Sequence, residues 1–169
     1  VNSNAKKIIA IDKETNLIRI LELFKNYDYM EIVNKLDSII EKYNLSNTYK
    51  NGYEFYGEDS SSGLGKYNKQ YYLKLRNDYN HMKDSDEKDF VFLTLVVYSF
   101  NHQIRFNSKG EYNMPVGKRD FNSSIRKNLL EFCKKLVVKN ISFVNTDYKK
   151  FELNSLTGND FCYFDPPYY

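Results

Sequence analysis

The stretch Lys6-Lys7-Ile8-Ile9-Ala10-Ile11-Asp12 decides how this chain is read. A short apolar run ended by an acid suits a buried strand of a parallel sheet better than a helix, because a strand covered on both faces loses the apolar–polar alternation. A helix should follow. Thr15 is placed to cap it, and Leu17, Ile18, Leu21 and Phe24 then recur at helical spacing. Residues 29–43 give a second amphipathic stretch through Ile32, Leu36, Ile39 and Ile40. Residues 50–67 break this pattern with Gly, Ser and Asn and read as a loop, an ordered functional one being open. Two more helices are expected over 67–79 and 86–100, the second carrying the run Phe90 to Val97, which is apolar enough to be buried nearly all round. From Gln103 the period changes to alternation, with Ile104 to Asn107, the turn Ser108-Lys109-Gly110, and Glu111 to Met114. That is a hairpin signal, closed by Pro115 and Gly117. A helix over about 123–136, a strand over 140–145 and a last apolar strand over 160–164 complete the expected order.

The chain has 169 residues, 41% hydrophobic and 28% charged, which is enough for one good core and excludes disorder throughout. No apolar run approaches the roughly 18 residues that span a bilayer, and the N-terminal segment lacks a signal-peptide pattern, so a soluble, intracellular protein with no membrane partner is expected. Cys133 and Cys162 lie in apolar segments without CxxC spacing and read as small core residues. His81 and His102 stand far apart with no nucleophile motif around them, which leaves metal-dependent and hydrolytic chemistry without support. A net charge of +3 excludes polyelectrolyte binding, yet that excess is concentrated locally: between 102 and 119, Arg105, Lys109, Lys118 and Arg119 face Glu111 alone. Arginine pairs bidentately with guanine and asparagine with adenine in the major groove, which a two-stranded ribbon fits. A hairpin carrying Asn107 and Asn113 beside those charges is therefore a candidate base reader. The alternative is a solvated edge hairpin whose charges discourage aggregation.

The sharpest string is Asp165-Pro166-Pro167-Tyr168, a tetrapeptide expected by chance about once in 10⁵ positions. An acid at the end of an apolar strand lies where ligands bind in α/β sheets. Each proline lacks an N–H to donate, which keeps a carbonyl free to accept. The Asp165 carboxylate and the Pro166 carbonyl could together accept both hydrogens of an exocyclic amine on a base, favour its pyramidalisation and aim its lone pair at an electrophilic methyl. Tyr168 would stack on that base once it is flipped from the duplex. The alternative is a polyproline-like tail.

The string from Asp165 to Tyr169, the hairpin sequence RFNSKGEYNMPVGKR over 105–119 and the opening IIAIDKETNLI over 8–18 together resemble the Dam-type DNA adenine-N(6) methyltransferases, in the alpha arrangement where target recognition precedes the catalytic motif. The resemblance implies an α/β fold, a partial Rossmann-like sheet with an inserted, mainly helical target-recognition domain carrying a β-hairpin. Residues 1–26 would belong to the catalytic domain, 27–138 to the recognition domain with its hairpin at about 103–116, and 139–169 to the catalytic domain again. It also implies S-adenosylmethionine as cofactor, duplex DNA as partner, no metal, and a bacterial or phage restriction-modification or orphan system in the cytoplasm. By position, Asp12 would help hold the cofactor, the alternative being an acid that interacts with a helix dipole. Asp147 would lie near the cofactor adenine, the alternative being a turn acid. Asp165 would sit between cofactor and amine, followed by Pro166, Pro167 and Tyr168, while Arg105, Asn107, Lys109, Asn113, Lys118 and Arg119 would meet DNA.

Two family features, a glycine-rich FxGxG loop and a basic segment before the first strand, do not occur in these residues, nor does the sheet half that follows the catalytic motif. The expectation is an internal piece of a larger enzyme, inactive alone or not, with sheet edges prone to self-association. The length of 50–67 further suggests an enlarged recognition domain. Two rivals remain open: a DNA-binding module without catalysis, and an RNA or protein-amide methyltransferase that uses the same acid-Pro-Pro-Tyr device.

Overall fold

The computed structural model describes residues 4–154 and 156–165. Strand β1 (Ile8–Asp12) pairs in parallel with β2 (Ile141–Asn145), in register from Ile8 opposite Ile141 to Asp12 opposite Asn145. Parallel neighbours need a crossover, and here the helices lie within it: α1 (Thr15–Asn26), α2 (Tyr29–Lys42), α3 (Thr48–Asn51), α4 (Gly65–His81), α5 (Asp86–Tyr98) and α6 (Ser123–Val138). This mixed helix and strand architecture is α/β, as expected.

Local chemistry explains most boundaries. The Asp28 side chain and Glu31 form a reciprocal capping box at the start of α2. Ser85 caps α5 and Asn122 caps α6. The start of α1 corrects the expectation for Thr15: the carboxylate of Glu14 accepts from the Asn16 N–H at 3.0 Å and is the cap. Asp12 sets this turn, its Oδ1 accepting from the Glu14 N–H at 2.7 Å, while the Thr15 hydroxyl donates to Asn145 Oδ1 at 2.9 Å.

The core centres on α5, whose residues from Asp89 to Leu95 are all buried together with Val97 and Tyr98. Helices α1, α2 and α4 pack around it. Ile32, Val33, Leu36, Ile39 and Ile40 form the inward stripe of α2, and the same cluster runs from Ile20 and Leu23 of α1 to Cys133 of α6.

Four expectations change. The loop over 50–67 is partly helical, with α3 and a 3₁₀ turn at Glu54–Tyr56 before α4 starts at Gly65. Strand β1 is half-buried rather than enclosed, with Ile9 40% exposed. The segment 160–164 is not a strand. A turn closed by the Asp160 N–H on Thr157 O precedes it, and among the described residues no neighbouring strand pairs with its backbone, without which extended chain does not persist as a ladder. Cys162 is consequently exposed, whereas Cys133 is buried as expected. Among the described residues no helix is long and apolar enough to cross a membrane.

Leu36 is fully buried between α2 and its neighbours. Leu36→Ala should lower unfolding stability by about 2–5 kcal/mol, read as a shifted urea midpoint with an unchanged m-value.

Candidate functional site

The C-terminal ends of β1 and β2 open onto a cavity of about 490 Å³, within the roughly 300–1,000 Å³ of small-molecule sites. Its walls are Ile9, Ile11, Asp12 and Lys13 from the first strand, Thr146 to Lys149 after the second, and Tyr163, Phe164 and Asp165 from the last described segment. Three acids from three separate parts of the chain, Asp12, Asp147 and Asp165, thus line one space.

Backbone pairing holds this arrangement. The Asp12 carbonyl accepts from the Thr146 N–H at 3.1 Å and from Asn145 Nδ2 at 3.1 Å, which ties the two strand ends together. Asp147 Oδ1 accepts from the Lys149 N–H at 2.9 Å and caps the 3₁₀ turn Tyr148–Lys150. The Tyr148 ring meets Phe164 edge to face, with centroids 6.3 Å apart. Tyr148, Lys13 and Phe164 line the cavity without having been singled out from the sequence. Their only signal was adjacency to Asp147, Asp12 and Asp165. Carboxylates beside aromatic and aliphatic walls can accept hydrogen bonds from hydroxyl or amine groups while a flat ring packs against the apolar faces. Asp165 is exposed, and it does not end a strand as expected. Pro166, Pro167 and Tyr168 lie outside the described residues.

The basic segment folds back at Asn107 to Gly110. A single antiparallel bridge joins Phe106 and Tyr112, flanked by Asn107 N–H to Glu111 O at 2.9 Å and Asn113 N–H to Arg105 O at 3.1 Å. Gly110, at φ 76°, takes the left-handed turn position. Two of the candidate base readers bind each other, Arg105 Nε donating to Asn113 Oδ1 at 2.8 Å. Asn107 holds the turn: its Oδ1 accepts from the N–H groups of Lys109 and Glu111, and its Nδ2 donates to Glu111. Lys109 is exposed at the tip.

Lys118 and Arg119 are also exposed, on a loop anchored from below. The Lys118 carbonyl accepts from the Leu64 N–H at 2.9 Å. Asp120 is fully buried, and its carboxylate accepts from the Thr48 N–H at 2.6 Å, the Thr48 hydroxyl at 2.7 Å and the Ser46 hydroxyl at 3.3 Å. Burial pushes the Asp120 carboxyl up, against those hydrogen bonds. Just before the hairpin, Asn101 and His102 have φ of 52° and 53°, two consecutive non-glycine residues in the left-handed region, next to the half-exposed Phe100. Such backbone costs of order 1–3 kcal/mol per residue and clusters at functional sites. Nothing in the sequence signalled it.

The family model described as D12 class N6 adenine-specific DNA methyltransferase matches residues 1–169. Among curated proteins the chain is 34% identical over 170 residues to the type II methyltransferase M.FokI of Planomicrobium okeanokoites, covering 99% of this chain and 23% of that protein. It is 29% identical to the modification methylase StsI of Streptococcus sanguinis, over 99% of this chain and 22% of that protein. It is 26% identical to the DNA adenine methylase of Haemophilus influenzae, over 99% and 50% respectively. The chain therefore spans between about a quarter and a half of the length of these relatives.

Gly117 passes so close to the end of α5 that an added Cβ would lie 2.4 Å from the Ser99 carbonyl oxygen. Gly117→Ala should cost about 1–3 kcal/mol and speed amide exchange of Phe100 and Gly117, whose N–H groups close this junction.

Proposed function

The chain belongs to the D12 class N6 adenine-specific DNA methyltransferase family, and on that premise we propose that the protein methylates the exocyclic amine of adenine within a short duplex-DNA target, in a restriction-modification or orphan methylation system. The observation that carries this reading is that Asp12, Asp147 and Asp165 line one shared cavity at the ends of two parallel strands, the position where α/β sheets bind ligands.

The residues lining that cavity fit S-adenosylmethionine: acceptors for ribose hydroxyls and an amine stand beside aromatic and aliphatic faces for a flat base. Asp12 would take the ribose, and Asp147 with Tyr148 the adenine end. When bound, the cofactor supplies an electrophilic methyl group. Asp165 and the Pro166 carbonyl would each accept one hydrogen of the target amine, which localises its lone pair, while Tyr168 stacks on the flipped base. Pro167, with no N–H to donate, would restrict the chain between them.

Residues 27–138 would then be the target-recognition insertion between catalytic segments 1–26 and 139–169. Arg105 and Asn113 would read base edges by exchanging their mutual hydrogen bonds for bonds to DNA, with Asn107 shaping the turn and Lys109, Lys118 and Arg119 meeting phosphates. The strained turn at Phe100 would offer an aromatic wedge for the gap that a flipped base leaves.

Expressed from its complete reading frame, the protein should transfer tritiated methyl to adenine in unmethylated duplex DNA. Asp165→Ala should reduce kcat by at least about 10²-fold. An unchanged rate in that variant removes the assignment of Asp165, and label in RNA or protein alone removes the substrate. If Lys118 and Arg119 both contact phosphates, replacing the pair by Ala should flatten the slope of log affinity against log salt by about 2, measured by fluorescence anisotropy on a labelled duplex.

A further inference from the structure

The recognition hairpin has one bridge of its own, and a two-stranded ribbon of that size is marginal by itself in water. Besides the Ser99–Val116 bridge and the packing of Phe106 and Tyr112 on Phe92, a helix holds its second arm. Tyr72, Arg76 and Asn80 lie four residues apart on one stripe of α4, and all three bond to the backbone of the hairpin's second arm. The Tyr112 N–H donates to Asn80 Oδ1 at 2.9 Å, and Asn80 Nδ2 donates back to the Tyr112 carbonyl at 3.2 Å. The Met114 carbonyl accepts from Arg76 Nη1 at 2.8 Å and from the Tyr72 hydroxyl at 3.2 Å.

The geometry has a simple cause. Within the hairpin the hydrogen bonds flank the Phe106–Tyr112 pair and do not join it, so the N–H and C=O of Tyr112 point away from the other arm, as an edge strand's do. A carboxamide presents one donor and one acceptor side by side, the pair that a neighbouring strand would offer. Four residues of helix rise about 6 Å and two residues of strand about 6.7 Å. A stripe spaced four apart on α4 can therefore meet the outward groups of Tyr112 and Met114 in turn, standing in for a third strand.

The same turn of α4 is also tied by hydrogen bonds to Asp12, which lines the cavity. The Tyr79 hydroxyl, adjacent in sequence to Asn80, donates to Asn16 Oδ1 at 3.3 Å. Asn16 donates through its N–H and its Nδ2 to Glu14 Oε1, and the Glu14 N–H donates to Asp12 Oδ1. One helical turn thus references the hairpin to the strand end that lines the proposed cofactor site.

We propose that Asn80 is a positioning residue for sequence discrimination: by clamping Tyr112 it fixes the height and register of the arm that carries Asn113, and it acts through the hairpin rather than on the base. The inference rests on the reading of the hairpin as a reader of duplex DNA.

The test uses the protein from its complete reading frame, with its target first mapped by sequencing the DNA it methylates. Wild type, Asn80→Ala and Asn80→Asp, which keeps the acceptor and loses the donor, are compared by kcat/KM on the target duplex and on duplexes with one base pair of the target changed. Asn80→Ala should lower the ratio of target to altered duplex by about tenfold, chiefly through KM on the target, with Asn80→Asp intermediate. Cofactor affinity without DNA, measured by equilibrium dialysis, should stay within about twofold. An equal loss of rate on every duplex, or an unchanged ratio, overturns the proposal. If Asn80→Ala does not fold, the ratio for Asn80→Asp decides it alone. A wild-type protein that methylates no duplex instead overturns the functional reading and this proposal with it, a result visible before any variant is compared.

Discussion

Parallel pairing of β1 with β2 is the constraint on which the rest of this structure depends. Five residue pairs from Ile8–Ile141 to Asp12–Asn145 bring together segments separated by nearly the whole chain. Parallel strands cannot be joined by a tight turn, so every helix between them has to close a path that begins at Lys13 and returns at Asn140. The pairing also puts two strand ends side by side, and loops leaving the same end of a parallel sheet form a crevice without any further device. Asp12 serves this crevice twice: its carbonyl ties down Thr146, and its carboxylate turns the chain into α1.

Two strands alone would not hold against the entropy of so long a connection. The stabilisation comes from α5, whose nearly uniform burial lets α1, α2 and α4 pack around it. Helix α1 belongs to that helical cluster and also packs on both strands, so it joins the helical unit to the sheet. The hairpin that packs on this helical unit is thereby linked to the strand ends through packed side chains.

Polar groups near the exposed basic residues follow a different logic. Ser46, Asn68, Asp120 and Arg126 are buried around one corner of the helical unit. Arg126 pairs with Asp37 while its guanidinium lies 4.1 Å from the Phe121 ring centroid and 4.4 Å from that of Tyr49. Asn68 satisfies both the N–H and the hydroxyl of Ser46, and Tyr98 donates to the Ser46 carbonyl. Among the described residues no buried side-chain nitrogen or oxygen lacks a partner. A fully satisfied buried network is rigid and directional, and it lies under the loop that carries the exposed Lys118 and Arg119.

Sequence by itself determined the elements whose information is local. The helices α1 and α2 followed from apolar residues at helical spacing, α5 from a long apolar run, β1 and β2 from short ones, and the reversal at Gly110 from turn chemistry, because each depends on residues within a few positions of one another; α4 and α6 were likewise expected close to where they lie. The acids Asp12, Asp147 and Asp165 were legible as candidates through motif and resemblance. Only the tertiary structure decided that they line one cavity, that the hairpin has a single bridge, and that Asn80 on a distant helix completes its edge. It likewise left 160–164 without a ladder although the composition reads as strand, and moved the cap of α1 from Thr15 to Glu14. The physical reason is the same in each case: a backbone hydrogen bond needs a partner brought by folding from elsewhere in the chain, and neither spacing nor propensity in one segment carries that partner's identity.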